Sequence, residues 1–277
     1  MIGLLIFLGF LLGLIVGYTI ISRKSRSKYL AAAEYWIYTP GETMPKQELL
    51  LDRIVGQNPY KKGSKVPIGP AEGLVLSDIR LHMALILKKK NSHIFRPDLF
   101  EDVSVTKEHL DSMAQSNAIV KIRYISEEPL PDKRHLQFLI HAADAMAEIT
   151  GSSLIYDQTA QRLVTKQEMA ALLSQDVDAT KPQLHVTIAW QDRPHDCHAE
   201  THGLRKIGLD EIRTGAMEAD EKILVTQVLE LAVERLWNMS YLPQEVEVEA
   251  FDDTFKILLA PPAEGFAQAR ILRMQAA

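Results

Sequence analysis

The feature that most limits what this chain can fold into is its opening stretch. Residues 2–21 carry no charge, and Arg23, Lys24, Arg26 and Lys28 follow at once. At about 1.5 Å of rise per residue this stretch reaches about 30 Å, the depth of a bilayer's hydrocarbon core. Fourteen of its residues are Leu, Ile, Val or Phe. Each favours insertion by roughly 0.3 to 0.6 kcal/mol at central positions, which outweighs the glycines and the lone threonine. The expectation is a transmembrane helix over residues 1–22. A cleaved signal peptide would place basic residues before the apolar core and small residues directly after it; here the charges come after, and they separate Ala31, Ala32 and Ala33 from the core.

Basic residues remain on the cytoplasmic side of a membrane. The expected arrangement is therefore a single-pass protein of the inner membrane with its C-terminal domain in the cytoplasm, and with Arg23, Lys24, Arg26 and Lys28 against anionic lipid headgroups. The only cysteine, Cys197, suits a reducing compartment and excludes an internal disulfide framework. Gly9, Gly13 and Gly17 repeat every fourth residue, the spacing that lets two helix backbones approach closely. This points to a homodimer through the span.

From Tyr29 onward, 27 basic residues face 36 acidic ones, a formal charge of −9. Phosphate backbones call for an excess of Lys and Arg on one surface, so no nucleic-acid partner is expected. The local exceptions are Lys61, Lys62 and Lys65 and the run 88–90, read as solvated turns or as further lipid contacts. Ten prolines and glycines from Pro40 to Gly73 interrupt regular structure. Residues 23–73 thus read as a basic juxtamembrane segment and linker holding one short helix near 46–55. Residues 74–277 read as one cytoplasmic domain, long enough to bury a sizeable core.

Within that domain, apolar residues alternate over 79–87, the period of a half-buried strand. Residues 118–125 and 184–190 are further strands, and 245–250 with 251–259 form a hairpin. Leu136, Leu139, Ile140, Ala143 and Ala147 share one helix face, with Gln137, His141, Asp144 and Glu148 on the other and Gly151 as the stop; the polar face is read as solvated. A second helix covers 217–238. Shorter helices span 106–115 and 165–174; Thr165 and Glu168 make a capping box, whereas His109 replaces the glutamate that Thr106 would need. The fold class that follows is α+β, a mixed and mainly antiparallel sheet with helices packed on one face.

The densest set of potential ligands is His195, Cys197, His198, Glu200 and His202, a set that zinc would accept. Its spacing argues otherwise. On a strand, His198, Glu200 and His202 point the same way about 6.6 Å apart, so the outer pair does not meet. On a helix, the zinc-protease pattern needs Glu directly after the first His, where this chain has Ala199. The H-x-E of zinc deaminases is matched by His198 and Glu200, but a single cysteine excludes their paired-cysteine half. A polar loop after Pro194 is the preferred reading, with no cofactor. Cys197 beside two histidines reads as an inert thiol, and His185 as an ordinary sheet residue. Phosphate-binding, dinucleotide and nucleophile-elbow glycine patterns do not occur.

Thr201, Gly203, Leu204, Gly208, Leu209 and Glu211 make a T-x-G-[LM]-x-x-x-G-L-x-E segment. It resembles one found in bacterial membrane-anchored domains of unknown function. Upstream, Gly151 to Thr165, with Ile155, Tyr156, Asp157, Arg162 and Leu163, is similar to a strand-turn-strand that follows an alanine-rich helix in such proteins. The resemblance spans roughly 135–238 and implies a bacterial α+β domain, with no activity to carry over. Gly203 and Gly208 are expected at turns or close backbone approaches, and Glu211 as a cap or an ion-pair partner. The functional expectation is a membrane-anchored binding or scaffolding module with an unknown protein partner. The alternative is a membrane-tethered metal-dependent hydrolase using His195, His198 and His202 with Glu200 as base.

Overall fold

The computed structural model describes residues 30–57, 59–60, 80–100, 103–130, 132–174, 178–192, 196–263 and 265–274. The expected span with Gly9, Gly13 and Gly17, the run Arg23, Lys24, Arg26 and Lys28, the cluster Lys61, Lys62 and Lys65, and His195 all lie outside these residues. Among the described residues no helix is long and apolar enough to cross a membrane.

The protein is α+β, with mixed and antiparallel pairing, but its strands divide into two sheets rather than one. The first has the order β2 (Leu81–Leu87), β3 (Ala118–Ser126), β1 (Ala31–Thr39), β4 (Leu154–Asp157), β5 (Arg162–Thr165), antiparallel throughout. The second runs β6 (Thr187–Asp192), β7 (Cys197–His202), β8 (Glu211–Thr214), β11 (Phe266–Met274), β10 (Asp253–Leu259), β9 (Glu245–Ala250). Its β8–β11 pair is parallel and its other pairs are antiparallel. Eleven twisted strands exceed what one open sheet usually holds, and each sheet needs an apolar partner for its inner face. Two long helices meet that need. The helix α3 (Arg134–Thr150) packs on the first sheet and α5 (Lys222–Leu236) on the second.

The first lobe also carries α1 (Gln47–Leu51), continued by a wider turn over Asp52–Gly56, α2 (Lys107–Gln115) and α4 (Lys166–Ser174). Four sequence expectations need correction here. Part of the supposed linker is the central strand β1, whose aromatic and β-branched residues fill the core from Ala31 to Thr39. The strand expected over 184–190 starts only at Thr187, after a short 3-10 turn over Pro182–Leu184. The capping box of α2 does form, because His109 Nδ1 accepts from the Thr106 N–H at 3.2 Å as a glutamate oxygen would. Finally, α3 has no solvated face below Glu148: His135 through Ala147 are all buried. A helix can be buried all round when its polar side chains find partners inside. Here Asp144 meets Arg53 at 3.3 Å and Lys166 at 2.5 Å. Gly151 ends the helix in a left-handed conformation, φ +67°.

Candidate functional site: the inter-lobe seam and its cleft

The two lobes meet where the turn after β7 presses on β1. Gly203 starts that turn at φ +122°, and a Cβ there would lie 2.0 Å from the His185 carbonyl oxygen, so only glycine fits. A 3-10 turn over Leu204–Ile207 follows, and Gly208 closes it at φ +86°. The fully buried carboxylate of Glu211 holds the turn. It accepts from the backbone N–H of Gly203 at 2.8 Å and of Leu204 and Arg205 at 3.2 Å, and from the Thr201 hydroxyl at 3.0 Å. Burial pushes its pKa up to about 7, against the opposing pull of these donors.

This turn drives Lys206 into the other lobe, where its side chain is wholly buried. The ammonium donates to Asp157 on β4, and it lies 3.4 Å from the Tyr35 hydroxyl and 5.1 Å from the centre of that ring. The Tyr35 oxygen is in turn 3.5 Å from His185 Nδ1, while His185 Nε2 is 2.7 Å from the Ala179 carbonyl. A carbonyl can only accept, so the His185 proton sits on Nε2 and leaves Nδ1 as acceptor for the tyrosine. Lysine, tyrosine and histidine therefore form one donor chain ending on the backbone. Burial lowers the pKa of Lys206, raises that of Tyr35 and takes that of His185 well below its ordinary value. On the outer side His135 stacks on Tyr124 and meets the Lys206 carbonyl at 2.9 Å; burial lowers its pKa to about 4.

Above His135 the lobes part into an open cleft of about 510 Å³. Its first wall is Leu30, Leu130 and the entry to α3 with Asp132, Lys133 and Arg134; its second is Ile207, Gly208 and the segment after α5 from Trp237 to Ser240. The side chains are held in place. The Lys133 ammonium lies 3.0 Å from Asn238 Oδ1 and over the Trp237 ring, Trp237 Nε1 donates to the Thr180 carbonyl at 2.7 Å, and Arg134 pairs with Asp132. Burial lowers the pKa of Lys133. The arrangement offers a cation, backed by a buried indole, beside apolar surface.

The ligand cluster singled out in the sequence lies elsewhere, on β7. His198, Glu200 and His202 do share one strand face, with the two Nε2 atoms 3.1 and 3.5 Å from the Glu200 carboxylate. Arg213 Nε sits on the same carboxylate at 2.6 Å. Cys197 is on the opposite face, buried, with Sγ 3.6 Å from the Met217 carbonyl. Among the described residues no group of three or more His, Cys, Asp or Glu side chains has the geometry to hold a metal ion. His141 and Glu148 belong to the Arg53, Asp144 and Lys166 cluster inside the first lobe. Of the lysine run, Lys88 caps the end of α2 through the carbonyls of Met113, Ala114 and Ser116, and Lys89 pairs with Glu42.

Sequence reasoning missed the seam. His185 was read as a plain sheet residue, yet it lies before β6 and ends the donor chain. Lys206 and Asp157 have no role in the sequence reading, although one stands between the glycines of the T-x-G-L segment and the other in the strand-turn-strand. A lysine flanked by two turn glycines was the available signal. No family model, curated protein or solved structure matches this chain.

Proposed function

We propose that this chain is a membrane-anchored binding module that receives its partner in the cleft between its two lobes. In this reading the apolar stretch 2–21 spans the inner membrane and the acidic α+β domain stands in the cytoplasm. The observation that carries it is the cleft: both lobes wall it, its polar side chains are fixed by hydrogen bonds, and a buried network braces it from behind. Leu30 is part of its wall and lies nine residues past Ile21, so the cleft is within about 30 Å of the proposed membrane surface. The chemistry suits a partner segment that sets apolar side chains on Leu30, Leu130 and Met239 and an acidic group near Lys133.

A metal-dependent hydrolase on His195, His198 and His202 has less support. Arg213 already occupies the carboxylate that would act as base, and His198 and His202 do not line the cleft.

The test is a photo-crosslinking amino acid placed at Met239 in the full chain within its native membrane, with Ile223 on the exposed side of α5 as the reference position. A discrete adduct at 239 that is absent at 223 and lost with Lys133→Glu supports the reading. Equal labelling at both positions, or none at 239, contradicts it.

A further inference from the structure

The four sheet edges are not protected alike. Strand β9 presents Glu245, Glu247 and Glu249 to solvent, an arrangement that discourages another strand from joining. Strand β5 has four residues and is tied through Arg162 to the Leu184 carbonyl. Strand β6 ends on Asp192, paired with Lys222, and Trp190 is bonded to Thr226 of α5. Strand β2 has none of these devices. Its seven residues include no Lys, Arg, Asp, Glu or Pro, and among the described residues only β3 pairs with it.

The register says which groups face outward. Arg80 O accepts from Ile125 N, and Lys88 N donates to Asn117 O, so the even-numbered residues of β2 bond to β3. The N–H and C=O groups of Leu81, Met83 and Leu85 therefore point to the edge that no described strand pairs with. Their side chains lean on the first lobe's core yet are only partly buried.

We infer that this edge is where a second copy of the chain joins, β2 against β2, antiparallel about Ala84, to give one continuous ten-stranded sheet. The strand is its own fitting partner. Centred on Ala84, the pairing sets Met83 opposite Leu85 and Leu81 opposite Leu87 of the other copy, apolar on apolar, and completes the half-covered core. It brings no like charges together within the strand. At its ends it places Arg80 against Lys88, whose ammonium is already directed onto the carbonyls at the end of α2. The inference is independent of the cleft and of the glycine face of the span.

Cysteine crosslinking of the full chain in native membranes tests it. Ala84 is exposed and falls in the non-hydrogen-bonded site at the twofold axis, where opposite Cα atoms are about 4.5 Å apart, within disulfide reach. His82 and Ile86 each lie about 13 Å from their own counterparts in the second copy and directly opposite one another. Mild oxidation should join Ala84→Cys into a disulfide dimer. His82→Cys alone and Ile86→Cys alone should stay monomeric, and the two variants mixed should crosslink. Each variant is first checked for the wild-type unfolding transition. Equal crosslinking at all three positions indicates random collision and overturns the inference, as does a folded Ala84→Cys that stays monomeric.

Discussion

Two of the buried ionic clusters among the described residues do different jobs. Lys206 and Asp157 form a fully enclosed pair between the lobes, with Arg162 and Glu211 also acting on Lys206 through charge. Arg53, Lys166, Asp144 and Glu148 form a shared set inside the first lobe, and it reaches solvent at Glu148, whose side chain is 51% exposed. The desolvation penalty of a charge is offset only by its partner and by whatever water can reach it. Among the described residues the seam pair rests on one direct ionic contact, whereas the inner set can redistribute its contacts. A buried pair of this kind acts less as a source of net stability than as a device that sets which surfaces meet and how.

The sharpest way to break the comparison is Lys206→Met. It removes the cation in direct contact with Asp157 and should cost about 3 to 5 kcal/mol in chemical unfolding of the full chain in detergent. A loss no larger than that of an exposed pair would mean the seam is not sealed.

Acid is the next largest lever. His135 is held neutral in the fold, with a pKa of about 4 against about 6.5 when unfolded. Its contribution is complete above pH 6.5 and drains away as pH falls toward 4, amounting to about 3 kcal/mol there. Inside the first lobe, His141 is depressed to about 4 by the same cause. Glu211 works in the other direction: with a pKa of about 7, its contribution is complete below about 4.5 and is lost as pH rises through 7. Unfolding midpoints measured from pH 4 to 8 should therefore be highest between these limits. His135→Gln and His141→Gln should each flatten the acid limb, but only the first should alter the fluorescence of Trp237 in the cleft.

Arg53→Met should have the smallest effect of the three, about 1 to 2 kcal/mol, because Lys166 remains on Asp144 and Glu148 is free to turn to water. A cost matching that of Lys206→Met would erase the distinction between the clusters.

What could be read from the sequence follows the same division. Local signals were legible: the alternation of β2, the Glu-Val-Glu-Val pattern of β9, Gly151 at the end of α3 and the Thr165–Glu168 box each act over a few residues and stand in the structure as expected. Gly203 and Gly208 also sit where turn chemistry requires them. The seam was not legible, because Tyr35, Asp157, His185 and Lys206 come from four separate segments, and only tertiary packing joins them. For the same reason His141 and Asp144 looked solvated: the spacing shows a polar stripe but not the Arg53 and Lys166 that cover it. Strand β1 was hidden by the prolines and glycines that follow it, although its own nine residues contain none.

The account turns on Lys206 and Asp157 being each other's indispensable partner across the seam. A double-mutant cycle with Lys206→Met, Asp157→Asn and the pair together measures this directly. The predicted result is that each single change is severely destabilising while the double variant recovers much of the loss, a coupling of about 3 kcal/mol or more. Additive losses, with coupling under about 0.5 kcal/mol, would contradict it.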